Sequence, residues 1–225
     1  MQFRTTTYLA VLSFAFMAAC GSDSTTGPSA NTATVRFINA SSTDIDVYNG
    51  GIIPAGNGGL TFNSSSTCLP VSTTGTGLAF NSTTTSNRVS APLTFTQSFV
   101  AGGNYTVVAY NNGTSVGFAT FDNGGFTPAS GQAGVRAVNA APNSGSIVMN
   151  SNSTAVGGGI PFATAGDFVN MTATTQTISF NNGAGTAILD TPGAMSFNAG
   201  LKYTIVVGPP AAGTTRLRSF LISGC

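Results

Sequence analysis

The stretch Val35-Arg36-Phe37-Ile38-Asn39-Ala40 returns one hundred residues later as Val135-Arg136-Ala137-Val138-Asn139-Ala140. A second pair of segments follows in the same order. Phe99-Val100-Ala101-Gly102-Gly103-Asn104-Tyr105-Thr106-Val107-Val108 matches Phe197-Asn198-Ala199-Gly200-Leu201-Lys202-Tyr203-Thr204-Ile205-Val206 at an offset of ninety-eight. Two matches in one order at nearly one spacing mark an internal repeat. They predict two tandem units, residues 33–130 and 131–225.

Each unit reads as all-β. Tyr105-Thr106-Val107-Val108-Ala109-Tyr110 and Tyr203-Thr204-Ile205-Val206-Val207 are β-branched and aromatic runs of strand length. Turn signals punctuate them: Asn49-Gly50-Gly51, Asn111-Asn112-Gly113, Asp122-Asn123-Gly124 and Asn181-Asn182-Gly183. Such sequences supply the positive φ angles that tight hairpins need. No stretch after the first twenty residues keeps a helical period. About seven short strands in under one hundred residues is the size of an immunoglobulin-like antiparallel β-sandwich, and two are expected in tandem. The Ala-Gly turn before Tyr105 and Tyr203 predicts a tyrosine at each strand start whose hydroxyl bonds back to the turn. Trp is absent and no cysteine pair lies within either unit, so antibody-type domains are excluded.

The repeated segments resemble a known family. Val-Arg-x-x-Asn-Ala, an Asp46-Val47-Tyr48 strand soon after, and Ala-Gly-x-x-Tyr-Thr-Val-Val are similar to the family named domain of unknown function 4397. The second unit departs from it, with Ile147-Val148-Met149 where the first has Asp46-Val47-Tyr48. The resemblance implies a β-sandwich and a bacterial envelope location. It implies no activity.

The chain starts MQFRTTTYLAVLSFAFMAAC. One basic residue, Arg4, precedes a short apolar run that ends in small residues, the pattern of a secretory signal. The run is too short for the roughly 20 residues of a membrane-spanning helix. Met17-Ala18-Ala19-Cys20 resembles the bacterial lipobox, which implies cleavage after residue 19 and lipid on the Cys20 sulfur. Residues 20–32, the lipidated cysteine and a polar stretch without large apolar side chains, are expected to form a flexible tether. The expected location is therefore the cell envelope, held on a membrane through Cys20. Gly21 in place of Asp favours the outer membrane under one bacterial sorting rule.

Without residues 1–19 the chain carries six basic and six acidic side chains. A neutral body gives no case for nucleic acid, which needs a basic footprint. It also lacks a polybasic patch for anionic lipid. If Cys20 carries lipid, Cys68 and Cys225 remain as an even pair in an oxidising compartment. A disulfide between them is the expectation, with two free thiols as the alternative.

The chain has no histidine and no glutamate. This removes Ser-His-Asp and Cys-His nucleophilic sites and His-based zinc sites. Lys202, the only lysine, reads as a solvated residue at a strand entrance. Asp44 and Asp46 would share one strand face, the pattern of a Ca²⁺ site or a carboxylate-pair glycosidase. The second unit lacks them, so neither a metal nor a catalytic role is expected. Arg36 and Arg136 recur in both copies, and the simplest reading is a bond to carbonyls or an acidic neighbour within each unit, with a ligand role as the alternative. No cofactor is expected and no enzyme activity. The expected function is a non-enzymatic envelope protein, a binding, adhesion or structural module for a protein or glycan ligand. The alternatives are a carbohydrate-binding module, using Tyr48 or Tyr110 as a platform, and an Asp-dependent hydrolase. Loops at one end of a rigid scaffold often carry recognition, and Ser72 to Asn87 is the first candidate.

Overall fold

The computed structural model describes residues 31–74, 78–83, 90–182, 193–210 and 213–225, which contain strands and turns and no helix. The expected signal, Cys20 and most of the tether lie outside the described residues. The first half holds β1 (Thr32–Asn39), β2 (Asp44–Asn49), β3 (Ser64–Ser65), β4 (Leu69–Ser72), β5 (Leu78–Thr83), β6 (Ser90–Leu93), β7 (Asn104–Asn112) and β8 (Ser115–Asp122). The second holds β9 (Gln132–Asn139), β10 (Ile147–Ser151), β11 (Thr154–Ile160), β12 (Thr164–Ala165) and β13 (Val169–Thr172). It continues with β14 (Thr175–Asn182), β15 (Gly193–Ser196), β16 (Lys202–Gly208) and β17 (Arg218–Ser223).

Four sheets result. One runs β3-β1-β7-β8 with β4 also on β1, and its counterpart runs β12-β9-β16-β17 with β13 also on β9. The other two run β2-β5-β6 and β11-β10-β14-β15. Most pairings are antiparallel, as the sequence predicts. The pairs β1–β7 and β9–β16 are parallel, however, with Val35 opposite Tyr105 and Val135 opposite Tyr203. This departs from the expected antiparallel sandwich and has a physical reason. Parallel strands are normally covered on both faces, and these four are.

Successive side chains on a strand point to opposite faces. Val35 and Phe37 of β1 therefore share one face with Val107 and Ala109 of β7, where they pack on Ile45, Val47 and Phe80 of the β2-β5-β6 sheet. Val135, Ala137, Ile205 and Val207 pack in the same way on Ile147, Met149, Ile178 and Phe180. The opposite faces of β1, β7, β9 and β16 meet each other. Ile38, Ala40, Val108, Val138, Ala140, Val206 and Phe220 form a third buried cluster between the halves. The layers therefore run from the β2-β5-β6 sheet, through the two central sheets, to the β11-β10-β14-β15 sheet. A third buried cluster thus joins the halves, each of which keeps a core of its own.

The repeated motif is now legible residue by residue. Its Val enters a half's own core, and its penultimate Asn holds a loop. Asn39 Nδ2 donates to Thr43 O (2.8 Å) and Leu60 O (2.7 Å) while its Oδ1 accepts from Ser41 N (2.9 Å). Asn139 Nδ2 donates to Gly145 O (2.9 Å) and Ile160 O (3.1 Å), and its Oδ1 accepts from Ala141 N (3.2 Å). Both asparagines are fully buried, so unmade bonds there would cost about 1–3 kcal/mol each. The predicted tyrosine contacts are present: Val100 N donates to Tyr105 Oη (3.2 Å) and Asn198 N to Tyr203 Oη (3.0 Å). Gly102 and Gly200 take φ of 74° and 78° in the turns beneath.

Asn49-Gly50-Gly51 and Asn112-Gly113 do turn hairpins, with Asn49 bridged to Ile52 and Asn112 opposite Ser115. Asp122-Asn123-Gly124 does not. It leads from β8 into the connection between the halves, and Asn123 is buried.

Candidate functional site

Both copies of the repeated arginine lie at the junction of the halves, and each reaches across it. Arg36 Nη1 donates to Ser223 O (2.8 Å), at the end of β17, and Nη2 donates to Cys68 Sγ (3.1 Å). Arg136 Nη1 donates to Asp122 O (2.9 Å), at the end of β8. Its Nη2 donates to Asn123 Oδ1 and its Nε to Thr204 Oγ1 (3.2 Å). Each half thus grips the last strand of the other. The register explains the reciprocity, since Asp122 pairs with Tyr105 and Ser223 with Tyr203.

The two grips are closed by different chemistry. Cys68 and Cys225 form a disulfide across the junction, with Cα atoms 5.7 Å apart, inside the range such a bond requires. At the corresponding place in the other grip, Phe168 stacks on Phe126 with centroids 5.3 Å apart. Arg136 lies over the Phe168 ring at 4.5 Å, a cation–π contact. Burial lowers the Arg136 guanidinium to about 10, with Asp122 opposing the shift. Burial also lowers Arg36. Lys202 is not the free strand-entrance residue expected: its Nζ donates to Asn123 O and, at 3.4 Å, to Phe126 O. A cavity of about 360 Å³ opens beside this grip, lined by Asp122, Phe126, Arg136, Asp167 and Phe168 among others. The guanidinium at its wall is already committed to three oxygen acceptors.

Asp44 and Asp46 both lie on β2. Asp46 is buried, and its Oδ1 accepts the Gly59 N–H at 2.6 Å, which holds the loop between β2 and β3. Among the described residues no three His, Cys, Asp or Glu side chains gather where they could hold a metal. Tyr110 does not form an exposed platform. Its ring meets Phe162 edge-on at 5.2 Å and packs against the cluster between the halves. Tyr48 is half-buried. The segment Ser72 to Asn87 is not one loop, because Leu78–Thr83 within it is β5, paired with β2. Residues 75–77 and 84–87 lie outside the described residues.

The four central strands β1, β7, β9 and β16 all start at one end of the body, here the proximal end, where Thr32 enters. At the distal end, the turn after β9, the end of β14 and the described residues between β16 and β17 border a cavity of about 510 Å³. It is lined by Pro142, Asn143, Ser144, Asn182, Pro210, Thr215, Arg216 and Leu217. Sequence reasoning missed this site because its residues come from separate turns with no shared motif. The only local hint was the Pro142-Asn143-Ser144 turn, where Asn143 takes a φ of 62°.

The profile of the family described as domain of unknown function DUF4397 matches residues 33–150. No curated protein matches the chain. Among solved structures, the C-terminal domain of AlgF from P. aeruginosa is similar with TM-score 0.33 and 13% identity, covering 41% of this chain and 98% of that one. A proposed cell adhesion protein from Bacteroides uniformis gives TM-score 0.23 and 11% identity, over 85% of this chain and 98% of that one. At these TM-scores the likenesses say nothing of this chain's function.

Proposed function

The chain belongs to the DUF4397 family, and from that premise we propose that it is a non-enzymatic envelope lipoprotein, held on a membrane through Cys20, that presents its distal turns to a ligand. Its two tandem repeats act as immunoglobulin-like sandwiches fused into one stiff body. The observation that carries this reading is the separation of ends. The chain enters at the proximal end, and the distal end holds the cavity of about 510 Å³ lined by amides, prolines, hydroxyls and Arg216. Support against catalysis comes from the residues themselves. With no histidine or glutamate in the chain, the carboxylate candidates are aspartates, and Asp46 is committed to Gly59. A cavity of that size suits a short polar segment of protein or glycan.

The test is an array of glycans and envelope proteins probed with the acylated chain and with Thr215→Arg, which fills the distal cavity. Binding lost in Thr215→Arg is the expected result. Binding unchanged in that variant would overturn the distal site, and no binding at all would leave a structural spacer. A hydrolytic activity lost in Asp44→Ala or Asp46→Ala would overturn the non-enzymatic reading.

A further inference from the structure

Among the described residues, the large apolar side chains exposed to solvent are Ile52 (69%), Ile53 (39%), Val100 (70%) and Leu201 (47%). All four lie at the proximal end. Ile52 O accepts from Asn49 N (2.8 Å), and Asn49 Nδ2 donates to Pro70 O (2.8 Å), opposite Thr34 near the start of β1. Val100 sits in the turn whose Gly102 N donates to Thr32 O (2.8 Å). Leu201 sits in the matching turn, where Gly200 N donates to Gln132 O (2.8 Å) at the start of β9. At the distal end no large apolar side chain is exposed among the described residues. Single exposed apolar residues are ordinary; the confinement of all four to one end is what calls for a partner there.

The chain itself says what faces that surface. Asn31 enters at this end, eleven residues after Cys20. However residues 21 to 30 are arranged, at about 3.5 Å per residue they keep Asn31 within roughly 40 Å of the Cys20 sulfur. Lipid anchored at Cys20 therefore brings a bilayer within reach of this end of the body first. We propose that the proximal end rests on the lipid surface, with Ile52, Ile53, Val100 and Leu201 entering the boundary between headgroups and acyl chains. The inference rests on the lipid-anchor reading. The contact is apolar, because basic and acidic side chains balance over residues 20–225 and the cations at this end, Lys202 and Arg136, already bond Asn123, Asp122 and Thr204. Insertion of apolar side chains to that depth is how amphipathic segments hold to membranes. The distal cavity then points away from the bilayer.

The absence of tryptophan makes the test direct, since any introduced Trp is the only one in the chain. Val100→Trp, Leu201→Trp and, at the distal β7–β8 hairpin, Thr114→Trp are each made in the acylated full chain. They are reconstituted into phosphatidylcholine vesicles with brominated acyl chains. The expected result is emission that shifts to the blue and is largely quenched for Val100→Trp and Leu201→Trp, and that is unchanged for Thr114→Trp. The quenching should persist in high salt. Both proximal reporters unquenched in a chain shown by mass to be acylated overturns the inference alone. Equal quenching at Thr114 overturns the orientation and with it the inference. A chain that is not acylated overturns the anchor reading, and the inference falls with it.

Discussion

Replacing Ile38 by Ala should destabilise both halves of the body together. Ile38 lies on β1 but is fully buried in the cluster between the halves, with Val108, Val138, Val206 and Phe220. The change removes three carbons, worth about 2.4 kcal/mol of transfer free energy at ~0.8 kcal/mol per group. The void left among rigid strands adds to this, and Ile→Ala changes in cores cost about 2–5 kcal/mol in all. A loss of about 3–4 kcal/mol follows, or roughly 10 °C in Tm for a body of this size. The assay is hydrogen exchange followed by mass spectrometry, which reads amides in β1 and β7 separately from those in β9 and β16. If the cluster between the halves couples them, the slowest amides of both lose protection by the same free energy. Loss confined to β1–β8, with β9–β17 unchanged, would refute that coupling and restore two independent sandwiches.

Other outcomes follow from the two grips and the loop clamp. A Cys68→Ser, Cys225→Ser double variant should lose up to about 5 kcal/mol in urea unfolding, the chain-entropy value for a separation of 157 residues. An unchanged midpoint would refute a stabilising closure. Arg136→Met should remove a pH dependence. The folded-state guanidinium is lowered to about 10, so from pH 10 upward the unfolded chain binds the extra proton, and wild-type stability gains from that group as pH rises. The stability slope above pH 10 should therefore fall by up to about 1.4 kcal/mol per pH unit in the variant, as measured by chemical unfolding at each pH. An identical slope would mean that Arg136 keeps its proton throughout. Asp46→Ala should cost about 1–3 kcal/mol of stability through the orphaned Gly59 amide, with ligand binding at the distal cavity unaltered by titration calorimetry.

Much of the framework was readable from residues alone. The Val-Arg-x-x-Asn-Ala copies and the Ala-Gly-x-x-Tyr turns announced the matching strands, because turn chemistry and strand propensity are local. The layer between the halves was not readable. Val35 with Phe37, and Ile38 with Ala40, are apolar on opposite faces of one strand, which signals burial on both sides without naming what covers the second. The parallel pairing of β1 with β7 was hidden for a related reason, since partners some seventy residues apart leave no turn signal between them. Arg36 and Arg136 were recognised as equivalent, but the bonds that cross to the opposite half, to Ser223 and to Asp122 and Asn123, were not foreseen. Asp122-Asn123-Gly124 was misleading: the residues suit a hairpin, yet Asn123 is drawn inward by Arg136 and Thr106. The Cys68–Cys225 pairing was open to parity reasoning. The distal cavity was not, because separate turns build it.

The most direct measurement is the intact mass of the protein made in a bacterial host, with and without reduction. The account predicts residues 20–225 carrying acyl chains, gaining the mass of two protons and two electrons on reduction as Cys68 and Cys225 become thiols. A species cut elsewhere and free of lipid would contradict it, and would make this a freely secreted body with no membrane to stand on.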